Sequence, residues 1–248
     1  MVRKSRSFLT LRMSQSTIVD ESLTIRKSPA VNSRINPCLI RFCYFLGNYL
    51  VLPAFFGKIT VTGQENIPLT GGVILAPTHR SRWDALILPY AVGRLVSGRD
   101  LRFMVSANEM KGVQGWFIRR LGGFPVNTDH PGMGSLVHSV ELLAAGEMVA
   151  IFPEGGISRD RVVHPLKPGV ARIALEVKTI KPDADIKILP VSISYNQPYP
   201  GWGSEATVNI GQGINVLDYQ QNSLKRETVR LTKTLSDRLK LLHEDRSP

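Results

Sequence analysis

His79 and Asp84 stand five residues apart where one apolar run ends and the next begins, in GGVILAPTHRSRWDALIL (residues 71–88). A histidine and a carboxylate so placed form a base and its orienter. The carboxylate holds one ring nitrogen, and the other nitrogen faces a substrate proton. A second punctuated turn, IFPEGGISRD (residues 151–160), again closes an apolar strand. In α/β folds such strand ends are where ligands bind. Asp84 also suits the first turn of a helix, where the macrodipole favours an acid, and both roles are compatible.

The elements that must position these residues alternate between strand and helix patterns from Lys58 onward, which argues an α/β fold. KITVTG, VILAPT, LRFMVSA, FPV, MVAIF, IKILPVSIS and TVNIG read as strands. Trp83 to Val96 reads as one apolar helix, GWFIRRLGG as a short one, and MGSLVHSVELLAAG as an amphipathic one closed by Gly146. VARIALEV and the stretch from Ser223 to Leu242 read as two more, the last with Leu224, Leu231, Leu235, Leu239 and Leu242 on its apolar stripe.

Ahead of this domain lies PCLIRFCYFLGNYLVLPAFF, close to the ~20 residues that span a bilayer. Arg41, Asn48 and Pro53 interrupt it. A central charge costs about 2.5–3.5 kcal/mol on insertion scales, so a helix in the membrane interface is favoured over a spanning one. Phe42, Tyr44, Phe45 and Tyr49 suit the headgroup boundary. The division is therefore a basic tail over 1–33, a membrane-associating helix over 34–57 and a catalytic domain over 58–248, with its motifs in 72–196.

The 248 residues suffice for one full core, and 43% hydrophobic content excludes wholesale disorder. The net charge of +11 implies an anionic partner. Residues 1–36 hold seven basic residues (Arg3, Lys4, Arg6, Arg12, Arg26, Lys27, Arg34) against Asp20 and Glu21. This Ser- and Thr-rich stretch reads as a flexible basic tail; a transit peptide or a start at Met13 are the alternatives. Cys38 and Cys43 make no disulfide framework and no zinc spacing. His79, Asp84 and Glu154 fit no common metal-site spacing. Ser81 lies in no nucleophile elbow. His138, His164 and His243 receive no role.

The H-x4-D of His79 and Asp84, then GGFPVN, FPEG and LPVSIS in this order, resemble the glycerolipid acyltransferase family, from about Gly57 to about Ile210. The resemblance implies a mixed sheet flanked by helices. His79 would take the acceptor hydroxyl's proton with Asp84 orienting it, and the oxygen would attack the thioester of an acyl-CoA or acyl carrier protein. The developing oxyanion would need donors. Pro153, Glu154 and Gly155 match the block that helps bind the acceptor, and Gly123 opens the second block. Pro190 matches the proline linked to the donor side. Lys167 and Gly169 match a basic residue before a helix whose N-terminus suits a phosphate. No cofactor or metal is implied. Members usually carry arginines where this chain has Thr128 (followed by Asp129) and Ile157, and Gly156 replaces a threonine. Isoleucine cannot make a bidentate phosphate contact. Arg159, Arg161 and Arg120 are the candidate substitutes.

The expected partners are thus a lipid acceptor, the acyl donor and an anionic membrane surface facing the cytosol or an organellar stroma. Another acceptor (glycerol 3-phosphate, another lysolipid or an amine) is the alternative. A non-catalytic lipid binder would need no base. A nucleic-acid binder lacks any recognisable RNA- or DNA-reading motif. Arg119 and Arg120, after Trp116, Phe117 and Ile118, suit either anionic lipid or a solvated face.

Overall fold

Val73, Ile74, Leu75 and Ala76 are fully buried without alternation, as a strand covered on both faces requires. They form β2 (Gly72–Pro77), at the centre of the sheet in the computed structural model. The structure describes residues 31, 33–127, 132–219 and 223–244. The expectations for the tail over 1–30 and for Thr128 and Asp129 lie outside the described residues.

From edge to edge the sheet runs β1 (Lys58–Thr62), β7 (Glu205–Ile210), β6 (Ile186–Tyr195), β2, β5 (Met148–Ala150), β3 (Leu101–Ser106) and β4 (Gly123–Val126). The pairs from β6 through β4 are parallel. β7 is antiparallel to β6 and carries β1 parallel to itself. The sheet is therefore mixed. A two-residue strand absent from the sequence reading, β8 (Ile214–Asn215), pairs antiparallel with β6. Pro190 lies on β6 between the residues paired to β8 and those paired to β7. A residue lacking an N–H is tolerated where the ladder changes partner. Its carbonyl accepts from Gly211 N at 2.9 Å.

Alternate side chains of β2 feed two cores. Ile74 and Ala76 pack with α6 (Met133–Ala144), α7 (Gly169–Ile180) and α8 (Leu224–Glu244). Val73 and Leu75 pack with Leu52, Phe56 and the buried side of α3 (Asp84–Val92). The expected single helix from Trp83 to Val96 is two: α3 stops at Gly93, and α4 (Arg94–Ser97) follows. A Cβ at Gly93 would lie 2.5 Å from the Tyr44 hydroxyl. The break lets the N-terminal helix pack there. Gly112–Arg120 forms α5, which starts before Gly115 rather than at it.

The N-terminal helix comprises α1 (Pro37–Leu46), a π-helical turn over Gly47–Val51 and α2 (Leu52–Phe55). Asn36 caps it, accepting from Cys38 N and Leu39 N. Its apolar window is only 17% buried, with Phe42, Phe45, Tyr49 and Leu50 exposed. By length and composition it is long enough to cross a bilayer.

Candidate active site

β2 and β5 are neighbours although β3 and β4 lie between them in the chain. Their parallel register, Val73↔Met148 to Leu75↔Ala150, brings the turn after β2 against the turn after β5. His79 follows the first strand, and Phe152 to Gly156 the second. The two turns touch: Ser158 N donates to the His79 carbonyl at 2.9 Å, and the Phe152 ring stacks on the His79 ring with centroids 3.9 Å apart.

His79 Nδ1 lies 2.8 Å from Asp84 Oδ2. Asp84 is fully buried. An ionised carboxylate has no proton to give, so Nδ1 carries the ring proton and Nε2 the lone pair. The same Oδ2 accepts from Arg80 N at 2.7 Å and from Ser81 N at 3.0 Å. The backbone thus wraps the carboxylate just before α3 begins, and Asp84 both starts the helix and orients the His79 ring. Tyr195, at the end of β6, donates its hydroxyl to Asp84 Oδ1 at 2.6 Å. Burial, then the Asp84 charge, push the Tyr195 phenol far above its ordinary range, so it stays a donor.

His79 is 21% exposed and lines a cavity of about 640 Å³. The cavity wall runs from Ile40 and Tyr44 on α1, past Leu86 and Pro89 on α3, to Gly155, Gly156 and Ile157. Most of it is apolar and it suits a hydrocarbon chain. Gly123 opens β4 and lines the same cavity.

The other expected site residues fall in different places. Glu154 does not face the cavity; its side chain is 2% exposed and meets Arg80, 4% exposed, at 2.8 Å. A carboxylate this deep needs a cation. Its Oε1 has no partner among the described residues. Pro153 is buried, and its carbonyl accepts from Lys167 N at 2.8 Å. Gly155 has φ +78°, and a Cβ there would lie 2.5 Å from Lys167 Cε. Glycine is required both for the turn and for the lysine stem crossing it. Pro190 lies under the site within β6, away from the cavity wall. Arg159 lies over the Tyr199 ring at 4.6 Å, and Arg120 over the Trp116 ring at 4.2 Å. Of the described residues lining the cavity, Arg82 alone carries a permanent positive charge. It is 76% exposed and paired with Glu109 at 2.9 Å.

Arg80 and His243 carry a role that sequence reasoning missed. Arg80 donates from Nη1 to Glu154 and to the His79 carbonyl, and from Nη2 to the Val162 carbonyl at 3.0 Å. Its Nε donates to His243 Nε2 at 3.2 Å, and His243 Nδ1 lies 2.8 Å from Ser192 Oγ. Burial, then the Arg80 charge, hold His243 down at about 4, so its ring is neutral. His138 and His164 pair with Ser33 and Asp160, off the cavity wall.

A carboxylate-oriented histidine opens onto a chain-sized apolar cavity at the carboxyl ends of two parallel strands, a site suited to deprotonating a hydroxyl beside a hydrocarbon chain. Comparison with known proteins agrees. A family model described as Acyltransferase matches residues 58–194, and the chain belongs to that family. The 1-acyl-sn-glycerol-3-phosphate acyltransferase of Bacillus subtilis is 28% identical over 80% of this chain and 95% of its own length. That of Streptococcus pneumoniae is 26% identical over 71% of this chain and 64% of its own. Human mitochondrial glycerol-3-phosphate acyltransferase 1 is 26% identical over 67% of this chain and 22% of its own. The fold matches the crystal structure of the 1-acyl-sn-glycerophosphate acyltransferase PlsC from Thermotoga maritima, with a TM-score of 0.60 at 22% identity, over 84% of this chain and 80% of that one.

Proposed function

We propose that this glycerolipid acyltransferase acylates the free hydroxyl of 1-acylglycerol 3-phosphate at a membrane surface, producing phosphatidic acid. The observation that carries this reading is the His79–Asp84 pair at 2.8 Å on the wall of the apolar cavity. His79 Nε2 takes the hydroxyl proton while the oxygen attacks the thioester carbonyl of an acyl-CoA or acyl carrier protein. The C–O bond forms, the C–S bond breaks, and the imidazolium returns its proton to the leaving thiolate. Asp84 stabilises the charge on the ring. No cofactor is consumed. The cavity takes an acyl chain, and the exposed aromatics of α1 rest in the lipid headgroups.

With Ile157 in place of arginine, the acceptor's phosphate meets Arg82 at the cavity rim and Lys167 over Gly155. The Arg82–Glu109 pair is exposed, and such pairs exchange partners at little cost. The partial matches to glycerol-3-phosphate acyltransferases favour a second reading, in which glycerol 3-phosphate is the acceptor. Purified protein in mixed micelles, given labelled donors and either acceptor, decides between them. Transfer to 1-acylglycerol 3-phosphate should fall by about a thousandfold in His79→Ala, the scale set by losing a positioned base. Transfer to glycerol 3-phosphate alone would replace the first reading with the second, and undiminished turnover in the variant would remove His79 as the base.

A further inference from the structure

α5 presents its apolar side chains outward. Val113, Trp116 and Phe117 are all exposed, and their i, i+3, i+4 spacing puts them on one helix face. Gly115 on the opposite face is buried against Met110. One cation lies on the patch, the Arg120 guanidinium over the Trp116 ring; Lys111 and Arg119 are exposed at the two ends of the helix, Arg119 donating to the Met110 carbonyl at 3.4 Å. No acid lies on the helix. Glu109, just before it, is tied to Arg82 and Gln114.

The second observation is a backbone tie to the N-terminal helix. Asn36 N donates to the Arg120 carbonyl at 2.9 Å and Arg34 N to the Arg119 carbonyl at 3.4 Å. Ile35 pairs antiparallel with Leu121. The carboxyl end of α5 is therefore fastened to the amino end of α1, whose outer face is also aromatic and uncovered. Both helices line the cavity that leads to His79, α1 through Ile40 and Tyr44 and α5 through Gln114 and Ile118.

We propose that α5 is a second membrane contact, which seats Val113, Trp116 and Phe117 in the headgroup boundary of an anionic bilayer alongside α1. The inference rests on the membrane reading made for α1 above. Aromatic and aliphatic side chains with cations on and at the ends of the same helix are the composition of an interfacial helix, and the cations match anionic lipid. With both cavity-lining helices in the lipid, an acyl chain passes sideways from the bilayer into the cavity.

The test uses the intact chain and vesicles of phosphatidylglycerol and phosphatidylcholine, with and without brominated acyl chains. Trp116→Phe keeps an aromatic anchor, so the difference in tryptophan quenching between it and the parent chain reports residue 116 alone. Bromolipid quenching should fall clearly in Trp116→Phe. The V113S/W116S/F117S variant should partition about tenfold less, as losing three apolar anchors requires, with unchanged thermal unfolding and unchanged turnover of a short-chain acceptor dissolved in buffer. Replacing Arg119 or Lys111 by Gln should lower partition by about fivefold each at low salt. Vesicle binding with equal quenching in Trp116→Phe overturns this inference and leaves the α1 reading standing. A triple variant that binds vesicles normally but loses self-association also overturns it, assigning the patch to a second copy. No vesicle binding by the intact chain overturns both readings.

Discussion

The turns after β2 and after β5 lie side by side at the same end of the sheet, yet they are built by opposite means. The first closes on itself. Within it, the His79 ring and the Arg80 and Ser81 amides donate to the one Asp84 carboxylate, which also accepts from the Tyr195 hydroxyl. The second has no such centre. From Phe152 to Pro168 the chain forms no helix or strand, and it is held mainly from outside, by Arg80 on Glu154 and on the Val162 carbonyl. A base must keep its tautomer and aim through every turnover, which a self-contained turn ensures. A turn held mainly by contacts from outside is freer to vary. Of the departures from the family pattern, Gly156 and Ile157 fall in the second turn, Thr128 follows the GGFPVN block, and none falls in the first turn.

The contrast breaks most visibly at Arg80. Arg80→Met leaves the Glu154 carboxylate buried without its cation, and stability should fall by about 3–5 kcal/mol in urea unfolding. Replacing both, in R80M/E154L, should recover much of that loss. A cost below about 1 kcal/mol for Arg80→Met would mean that the second turn holds its own shape.

The next effect comes from His243, which supports Arg80 from α8. Its neutral ring accepts from Arg80 Nε, and its pKa drops from an ordinary 6.5 to about 4 on folding. As pH falls below 6.5 the unfolded chain takes up the proton first. The contribution, full above about 6.5, is lost progressively down to about 4. A fall of about 2 kcal/mol across that window is expected. His243→Gln should flatten this part of the stability–pH curve, and an identical curve in the variant would show that other groups cause the slope.

The smallest effect sharpens the first turn. Tyr195→Phe removes one of the hydrogen bonds to Asp84, which should cost about 1 kcal/mol of stability. Turnover should fall by about fivefold to tenfold through looser aim of the base, with KM for the acceptor unchanged. A rise in KM without loss of turnover would move Tyr195 from base positioning to substrate binding.

How much of this was legible in the sequence follows the same division. His79 and Asp84 were readable because their partnership is local, five residues within one turn. The α/β class and the terminal helix were readable from hydrophobic period, and the central buried strands from their continuous apolar runs. Arg80 was visible only as a charged neighbour of His79, since its partner His243 lies 163 residues away. Tyr195 meets Asp84 across 111 residues, and nothing in LPVSISY marks a donor. Glu154 was read toward the acceptor because its block implied it; only the packing turns its carboxylate inward to Arg80. The break at Gly93 was hidden because only Asp84 and Arg94 interrupt the apolar run from Trp83 to Val96, and Tyr44, which packs against Gly93, belongs to another helix.

The hydrogen bond from Arg80 to His243 also sets an order in time. A growing chain that has made β2 and β5 already holds the base, its orienter and the second turn. The Arg80 Nε has no ring to donate to until the last turn of α8 has emerged and docked. Ser192 likewise waits on β6 for the same ring. Partly synthesised or carboxyl-clipped chains should therefore carry the dyad and the Arg80 clamp without the ring that supports Arg80. The last turn of α8 thus completes a support for Arg80 that the two turns cannot supply themselves.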